Sequence, residues 1–351
     1  MFTPNFTISP KILNNLTSIA EIRAIIERSK VLPEREALLR RQAIGRMVHA
    51  STSIEGNQLA EYEVEKVLAG KPVRAEERQV LEVKNYQRAL KKVWDIAQKK
   101  EVFTSDDILE LHCITTHNLV VKQKCGHFRP GPVFVANIDG KKEEIIYTAP
   151  VANDVPKLIQ DLINWLDGDE AVELNPVLTA GILHYQFVTI HPFTDGNGRM
   201  TRLLTLLHLA QNEYDFKKIL ILEEYYNNDR KNYYEALDTG DTYENRIGKN
   251  LTNWLEYFTT GFLAEAQKVK SEIMSMGFAK SMKDSEQIYL DRDEIKIMDF
   301  LASMGRVTSQ DVMDILEIPK RTAQAKLKSL SDNRLIIKRG KGPSTYYTLK
   351  S

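Results

Sequence analysis

Nine consecutive residues, His191-Pro192-Phe193-Thr194-Asp195-Gly196-Asn197-Gly198-Arg199, with Arg202 three positions on, combine an imidazole, a carboxylate, two glycines and two guanidinium groups. Gly196 and Gly198 permit backbone conformations closed to other residues and let peptide N–H groups approach an anion. The apolar run that follows, MTRLLTLLHLAQ, reads as a helix, and its N-terminal end adds positive potential at the same place. Arg199 and Arg202 share a face at the start of that helix and suit phosphate oxygens. Asp195 offers one hard oxygen ligand of the kind that a nucleotide-borne Mg²⁺ accepts. His191 can take a proton near neutral pH. Asp-Gly and Asn-Gly are common turn formers, and a lone histidine at a helix end is usually structural. It is the conjunction that points to a polyphosphate seat with a base beside it.

The same stretch resembles the signature of the Fic family, His-x-Phe-x-(Asp or Glu)-Gly-Asn-Gly-Arg-x-x-Arg, with every fixed position matched from His191 to Arg202. The resemblance implies a helical fold and transfer of the AMP moiety of ATP to a Ser, Thr or Tyr hydroxyl of a protein, the chain itself included. It assigns His191 as the catalytic base and Asp195 as the Mg²⁺ ligand. Gly196, Asn197 and Gly198 would cradle the α and β phosphates, Arg199 and Arg202 would bind the outer phosphates, and Phe193 would anchor the loop in the core.

Upstream, Ser51-Thr52-Ser53-Ile54-Glu55-Gly56 resembles the family's inhibitory sequence, (Ser or Thr)-x-x-x-Glu-(Gly or Asn). By spacing alone, Ser51 is a helix cap and Glu55 a solvated residue. Beside the catalytic loop, the resemblance implies that Glu55 pairs with Arg202 as a carboxylate standing in for a phosphate oxygen. Ile54 would be the apolar side of that helix, and Glu55 has a second reading as an aid to AMP removal. The run Arg230-Lys231-Asn232-Tyr233-Tyr234-Glu235-Ala236-Leu237 resembles the segment lining the adenine side, with Tyr233, Tyr234 and Leu237 as nucleotide-binding candidates. Paired tyrosines otherwise read as core and rim.

The elements that must hold these residues are mainly α. Apolar positions at three- and four-residue steps in AEIRAIIERSK and EREALLRRQAIGRMVHAS predict helices on either side of Pro33. Ser105 is expected to cap a helix opened by Asp106 and Asp107. Asn175 and Pro176 open another that runs to about Thr189 and ends at the catalytic loop. Two β-rich runs, Val133 to Ile138 and Glu144 to Thr148, flank Asp139-Gly140 and predict a hairpin. It matches the place of the family's flap, whose edge strand aligns a target by backbone pairing. The expected organisation is an N-terminal helical region with the inhibitory motif (1–100), a Fic helical bundle with a small β-hairpin flap (101–265), a linker helix (266–284) and a C-terminal winged helix-turn-helix (285–351).

In that last region Glu294 to Ala302, a second helix capped by Thr308, a third opened by Pro319 and two strands around Gly340-Lys341-Gly342 give the winged-helix order. From Lys320 onward, nine Lys and Arg (Lys320, Arg321, Lys326, Lys328, Arg334, Lys338, Arg339, Lys341, Lys350) face Asp332 alone, a footprint for DNA at residues 320–342 or for a protein partner. This supports an alternative function, a DNA-binding transcriptional regulator whose Fic part senses a nucleotide or partner with little turnover.

At 351 residues the chain is long enough for two or three domains. Forty-eight Lys plus Arg balance 48 Asp plus Glu, so charge asymmetry is local, and 42% hydrophobic residues argue against a disordered or fibrous chain. Cys113 and Cys125 are too few for a disulfide framework, the N-terminus lacks a signal pattern, and no apolar run reaches the roughly 18 residues of a membrane helix. A cytoplasmic protein is the expectation. His112, Cys113, His117 and Cys125 fit no usual zinc spacing, His184 reads as a packed histidine, and no P-loop motif occurs. A homodimer and a donor other than ATP, another nucleotide or phosphocholine, stay open.

Overall fold

The computed structural model describes residues 2–29, 33–99, 101–139, 142–281, 290–304, 306–333, 335–340, 342 and 345–349. The chain divides into two compact units, Met1–Gly277 and Phe278–Ser351.

In the first unit, α1 (Pro10–Arg28), α2 (Pro33–Ile54), α3 (Glu61–Leu68), α4 (Glu77–Ala97) and α5 (Ser105–Thr115) precede a hairpin of β1 (Phe134–Asp139) and β2 (Lys142–Thr148). Then come α6 (Val155–Leu166), the short α7 (Asp169–Val172), α8 (Pro176–Ile190), α9 (Asn197–Gln211), α10 (Leu222–Asn228), α11 (Arg230–Leu237), the short α12 (Tyr243–Arg246) and α13 (Thr252–Ser281). Helices α8 and α9 lie against each other at the centre, and nearly every residue of both is buried. An α-helix that is apolar on most of its faces has no solvent side to offer, which is why these two occupy the middle. Each fully buried Leu, Ile or Phe there contributes roughly 1.5–3 kcal/mol.

Local chemistry sets the ends of these elements. Asn175 accepts from Val177 N at 2.9 Å and Pro176 takes the first helical position, so α8 opens as its sequence directs. It closes at His191, whose φ of +49° is left-handed, a conformation that costs a non-glycine residue energy and turns the chain into the loop. The cap of α5 is Thr104 rather than Ser105. The Thr104 hydroxyl accepts from Asp107 N at 3.2 Å while Asp107 returns a bond to Thr104 N at 2.9 Å, a reciprocal pair that Ser105 is one residue too late to make.

The N-terminal hundred residues share the core of the rest of the unit: Ile12, Ile19, Met47 and Leu90 lie in one cluster with Leu203 and Phe258. Asn15 donates to the Thr259 and Thr260 hydroxyls at 3.1 Å each. The expected linker helix at 266–284 is, as far as Ser281, the second half of α13, whose Ala266, Val269 and Ile273 are buried in that same core. Residues 282–284 lie outside the described residues.

The hairpin pairs antiparallel from Phe134 opposite Thr148 to Asp139 opposite Lys142, with a bulge between Val135 and Ala136. The expected Gly140 of its turn lies outside the described residues. Cys113 and Cys125 form a disulfide, a single local cross-link across twelve residues.

The second unit consists of α14 (Arg292–Met304), α15 (Ser309–Leu316), α16 (Lys320–Asp332) and an antiparallel pair, β3 (Ile336–Arg339) with β4 (Tyr346–Leu349). Thr308 caps α15. Its core joins Ile297, Leu301, Val312, Leu327, Leu330 and Ile336. Lys320, Arg321, Lys328, Lys338 and Arg339 are exposed, whereas Lys326 pairs with Asp291 and Asp293 at 2.7 and 3.0 Å. Arg334, Lys341 and Lys350 lie outside the described residues. Among the described residues, no helix is long and apolar enough to cross a membrane.

Candidate active site

A cavity of about 540 Å³ opens between the hairpin, the loop joining α8 to α9, and α11. Val133 to Ala136 with Ile146 and Tyr147 form one wall, and Tyr233, Tyr234 and Leu237 form the opposite one. His191, Thr194 to Gly198, Arg202 and Glu55 line the floor. Ten of the thirteen site residues expected from the sequence therefore line one space; Arg199 and Gly56 do not, and Ser51 stands directly behind it on Arg202.

His191 is held at its backbone by the end of α8 and at its side chain by Val188, whose carbonyl lies 3.1 Å from Nδ1. Assigned as the donor, Nδ1–H fixes the ring and leaves the Nε2 lone pair as the proton acceptor. Burial pushes its pKa down to about 4, and the nearby positive charge of Arg129 works in the same direction. The imidazole is thus neutral at physiological pH.

The loop is fixed from within and from beneath. Asn197 Oδ1 accepts from Phe193 N at 2.9 Å and its Nδ2 donates to Phe193 O at 2.8 Å, so this side chain closes the turn on itself while also bordering the cavity. Phe193 is fully buried and stacks on His112 with ring centroids 3.7 Å apart. Gly126 N donates to His112 Nδ1 at 3.1 Å, which leaves Nε2–H to donate to the Asp195 carbonyl, also at 3.1 Å. Burial holds His112 at a pKa of about 4, in keeping with this neutral form. Gly196, at φ +85°, opens α9, and a Cβ there would meet the Thr116 methyl at 2.9 Å. A Cβ on Gly198 would run into the Glu55 carboxylate. The second glycine is thus required by Glu55 as much as by any anion.

The two arginines have different surroundings. Arg199 is buried beneath the loop and does not line the cavity; its guanidinium reaches Asp195 at 3.1 Å and Glu82 at 3.5 Å. Arg202, also buried, does line it. There its Nε donates to the Ser51 hydroxyl at 2.8 Å, and Nη2 donates to the Ser51 carbonyl at 3.0 Å and to Glu55 Oε1 at 2.8 Å. Burial works against its charge, yet the Glu55 carboxylate more than offsets this and raises the Arg202 pKa. Gly56, at φ +95°, ends the turn that presents Glu55, and Ile54 behind it is buried.

Asp195 is partly exposed, with Arg199 on one carboxylate oxygen and Arg78 3.5 Å from the other. Among the described residues no group of three His, Cys, Asp or Glu converges as a metal cage. On the opposite wall Tyr233 is buried and its hydroxyl bonds His184 Nε2 at 2.9 Å, Tyr234 is half exposed at the rim, and Leu237 is buried between them and the core. His184 is a packed histidine, bonded also to Thr205 at 3.1 Å.

Sequence reasoning missed four residues that shape the site. Glu82 bridges Arg199 and the Asn57 amide, Tyr86 donates to Glu223 at 3.1 Å behind Arg202, and Arg129 carries the turn at His191. Burial lifts Glu223 to a pKa of about 7. Local pattern offers no signal for them beyond charged residues in otherwise buried stretches.

Residues 102–209 match the Fic/DOC family profile. The protein adenylyltransferase Fic of Nematostella vectensis is 31% identical over 217 residues, which is 59% of this chain and 45% of that protein. The protein adenylyltransferase fic-1 of Caenorhabditis elegans is 30% identical over 197 residues, 54% of this chain and 35% of that protein. The chain thus spans less than half the length of these curated relatives. Among solved structures, a Fic family protein from Desulfovibrio desulfuricans superposes with a TM-score of 0.64 at 26% identity, covering 100% of this chain and 99% of that one.

Proposed function

Since residues 102–209 form a Fic/DOC family domain, we propose that this chain is a protein adenylyltransferase held in check by Glu55. The observation that carries this reading is the convergence of a neutral His191, the N-terminus of α9 and the Arg202 guanidinium on one cavity whose last cation is occupied by a carboxylate of the same chain.

A Ser, Thr or Tyr hydroxyl of a target attacks the α-phosphorus of ATP. The bond from that phosphorus to the oxygen bridging the β-phosphorus breaks, pyrophosphate leaves, and the hydroxyl proton passes to His191 Nε2. The Val188 carbonyl keeps the other ring nitrogen protonated, so the acceptor stays aimed at the cavity. The Gly196 and Gly198 backbone at the α9 N-terminus stabilises the phosphate charge, and Arg202 binds the outer phosphates once Glu55 has moved. Arg199 acts at one remove, by fixing Asp195. A Mg²⁺ ion that brings phosphate and water ligands fits the single partly exposed carboxylate of Asp195 and would neutralise charge on the leaving group. Tyr234 and Leu237 offer apolar surface to the base, and the hairpin, with Phe134, Ile145 and Ile146 exposed, offers an edge to an extended target segment.

The test is incubation of the purified chain with α-³²P-ATP and Mg²⁺. Protein labelling that rises in Glu55→Gly and disappears in His191→Ala is the expected result; no label in any variant overturns the reading.

The exposed cations Lys320, Arg321, Lys328, Lys338 and Arg339 on α16 and its hairpin favour a second role in contacting DNA phosphates. Binding to duplex DNA measured by fluorescence anisotropy should weaken steeply between roughly 50 and 200 mM salt. Absence of binding at the lower salt removes this role.

A further inference from the structure

Arg129 lies outside every motif that the sequence offers, in the run Phe128-Arg129-Pro130-Gly131-Pro132, yet it is 3% exposed and fully engaged. Its Nε donates to the His191 carbonyl at 2.8 Å, Nη1 to the Gly131 carbonyl at 2.9 Å and Nη2 to the Pro150 carbonyl at 2.5 Å. Its backbone N–H donates to Pro192 O at 2.9 Å. Among the described residues it has no ion pair. A buried guanidinium without a counter-ion is costly, and carbonyl dipoles are what compensate here. Those dipoles come from three places: the catalytic turn, the segment entering β1 and the segment leaving β2. The planar fork is the side chain able to reach all three at once.

We propose that Arg129 is a positioning residue that locks the His191 turn to both feet of the hairpin, so that base and docked target share one rigid frame. The proposal rests on the adenylyl-transfer reading above. Tyr147 adds a second tie of the same kind, its hydroxyl donating to Thr189 O at 2.5 Å. Arg129 touches none of the residues assigned to phosphate, so its loss should act on turnover and spare nucleotide binding.

The test compares Arg129→Ala and Arg129→Lys in the intact chain carrying Glu55→Gly. Arg129→Ala should lower kcat about 100-fold, the size expected of a misplaced base, while KM for ATP stays within about threefold. Millimolar guanidinium chloride should restore Arg129→Ala several-fold and leave the parent and His191→Ala unaffected. Arg129→Lys, which keeps the charge but loses the fork, should fall between. An unchanged kcat, or a kcat and KM that deteriorate together without response to guanidinium, overturns the proposal. Should Arg129→Ala fail to fold by thermal melting, Arg129→Lys carries the same readouts. If no variant labels protein, the transfer reading has failed, and amide exchange at Val133–Val135 and Tyr147–Ala149 judges the clamp by itself. Faster exchange confined to these residues supports it, and unchanged exchange sinks it.

Discussion

Arg199 and Arg202 leave α9 one turn apart, carry the same charge and are equally buried, yet they meet different partners. On the Arg199 side the partners are Glu82 and Asp195, and its Nε finds no acceptor among the described residues. On the Arg202 side every arm faces either the cavity or the end of α2. One arginine holds a loop, while the other is paired with a carboxylate that, on the proposed reading, gives way to a phosphate. Spacing on a helix places two guanidinium groups on one face; what stands opposite each decides which of them meets a ligand.

The largest expected effect sharpens this contrast. Arg202→Ala in the Glu55→Gly chain should cut adenylyl transfer by about 10²–10³-fold, the usual cost of a lost charge-stabilising donor, measured as initial rates with labelled ATP. Next, Glu55→Gly alone should raise transfer at least about tenfold over the parent chain, since it frees the Arg202 Nη2 for phosphate. Arg199→Ala should cost turnover less than about tenfold per folded molecule and act mainly on stability. Breaking its buried pairs removes about 3 kcal/mol, to be read from denaturant unfolding. If Arg199→Ala instead abolishes ATP binding and leaves the unfolding midpoint unchanged, the division of labour is wrong. The smallest effect is a flat line. His191, held at about pKa 4, is a neutral base above that pH, so kcat/KM should not vary between pH 5.5 and 8. Activity halved near pH 6.5 would mean that burial does not hold the ring neutral.

What the sequence made legible was local. The Asn175-Pro176 opening of α8, the catalytic turn, the hairpin flanking Asp139 and the helix order of the second unit are each encoded within a few residues. Glu55 and Arg202, 147 positions apart, came together only through the family pattern, which stores a long-range contact in a short string. Where no such string exists, partners stayed hidden. Glu82 reaches Arg199 across 117 positions and Arg129 reaches His191 across 62. Asn197, which the family resemblance assigns to the phosphates, also matches the Phe193 backbone in both donor and acceptor, a role that its residue type alone does not reveal. The expected linker helix at 266–284 is, as far as Ser281, a continuation of α13, because Ala266, Val269 and Ile273 keep its buried stripe going.

Glu55 stands one position past Ile54, the last helical residue of α2, in a turn closed by N–H donation from Glu55 and Asn57 to the Thr52 carbonyl at 3.1 Å each. Swinging it away from Arg202 therefore unwinds only a tip, while Met47, Val48 and Ser51 stay seated in the interior. On the proposed reading, such a stopper is hinged at its outermost coil, and freeing Arg202 disturbs a single turn rather than the bundle.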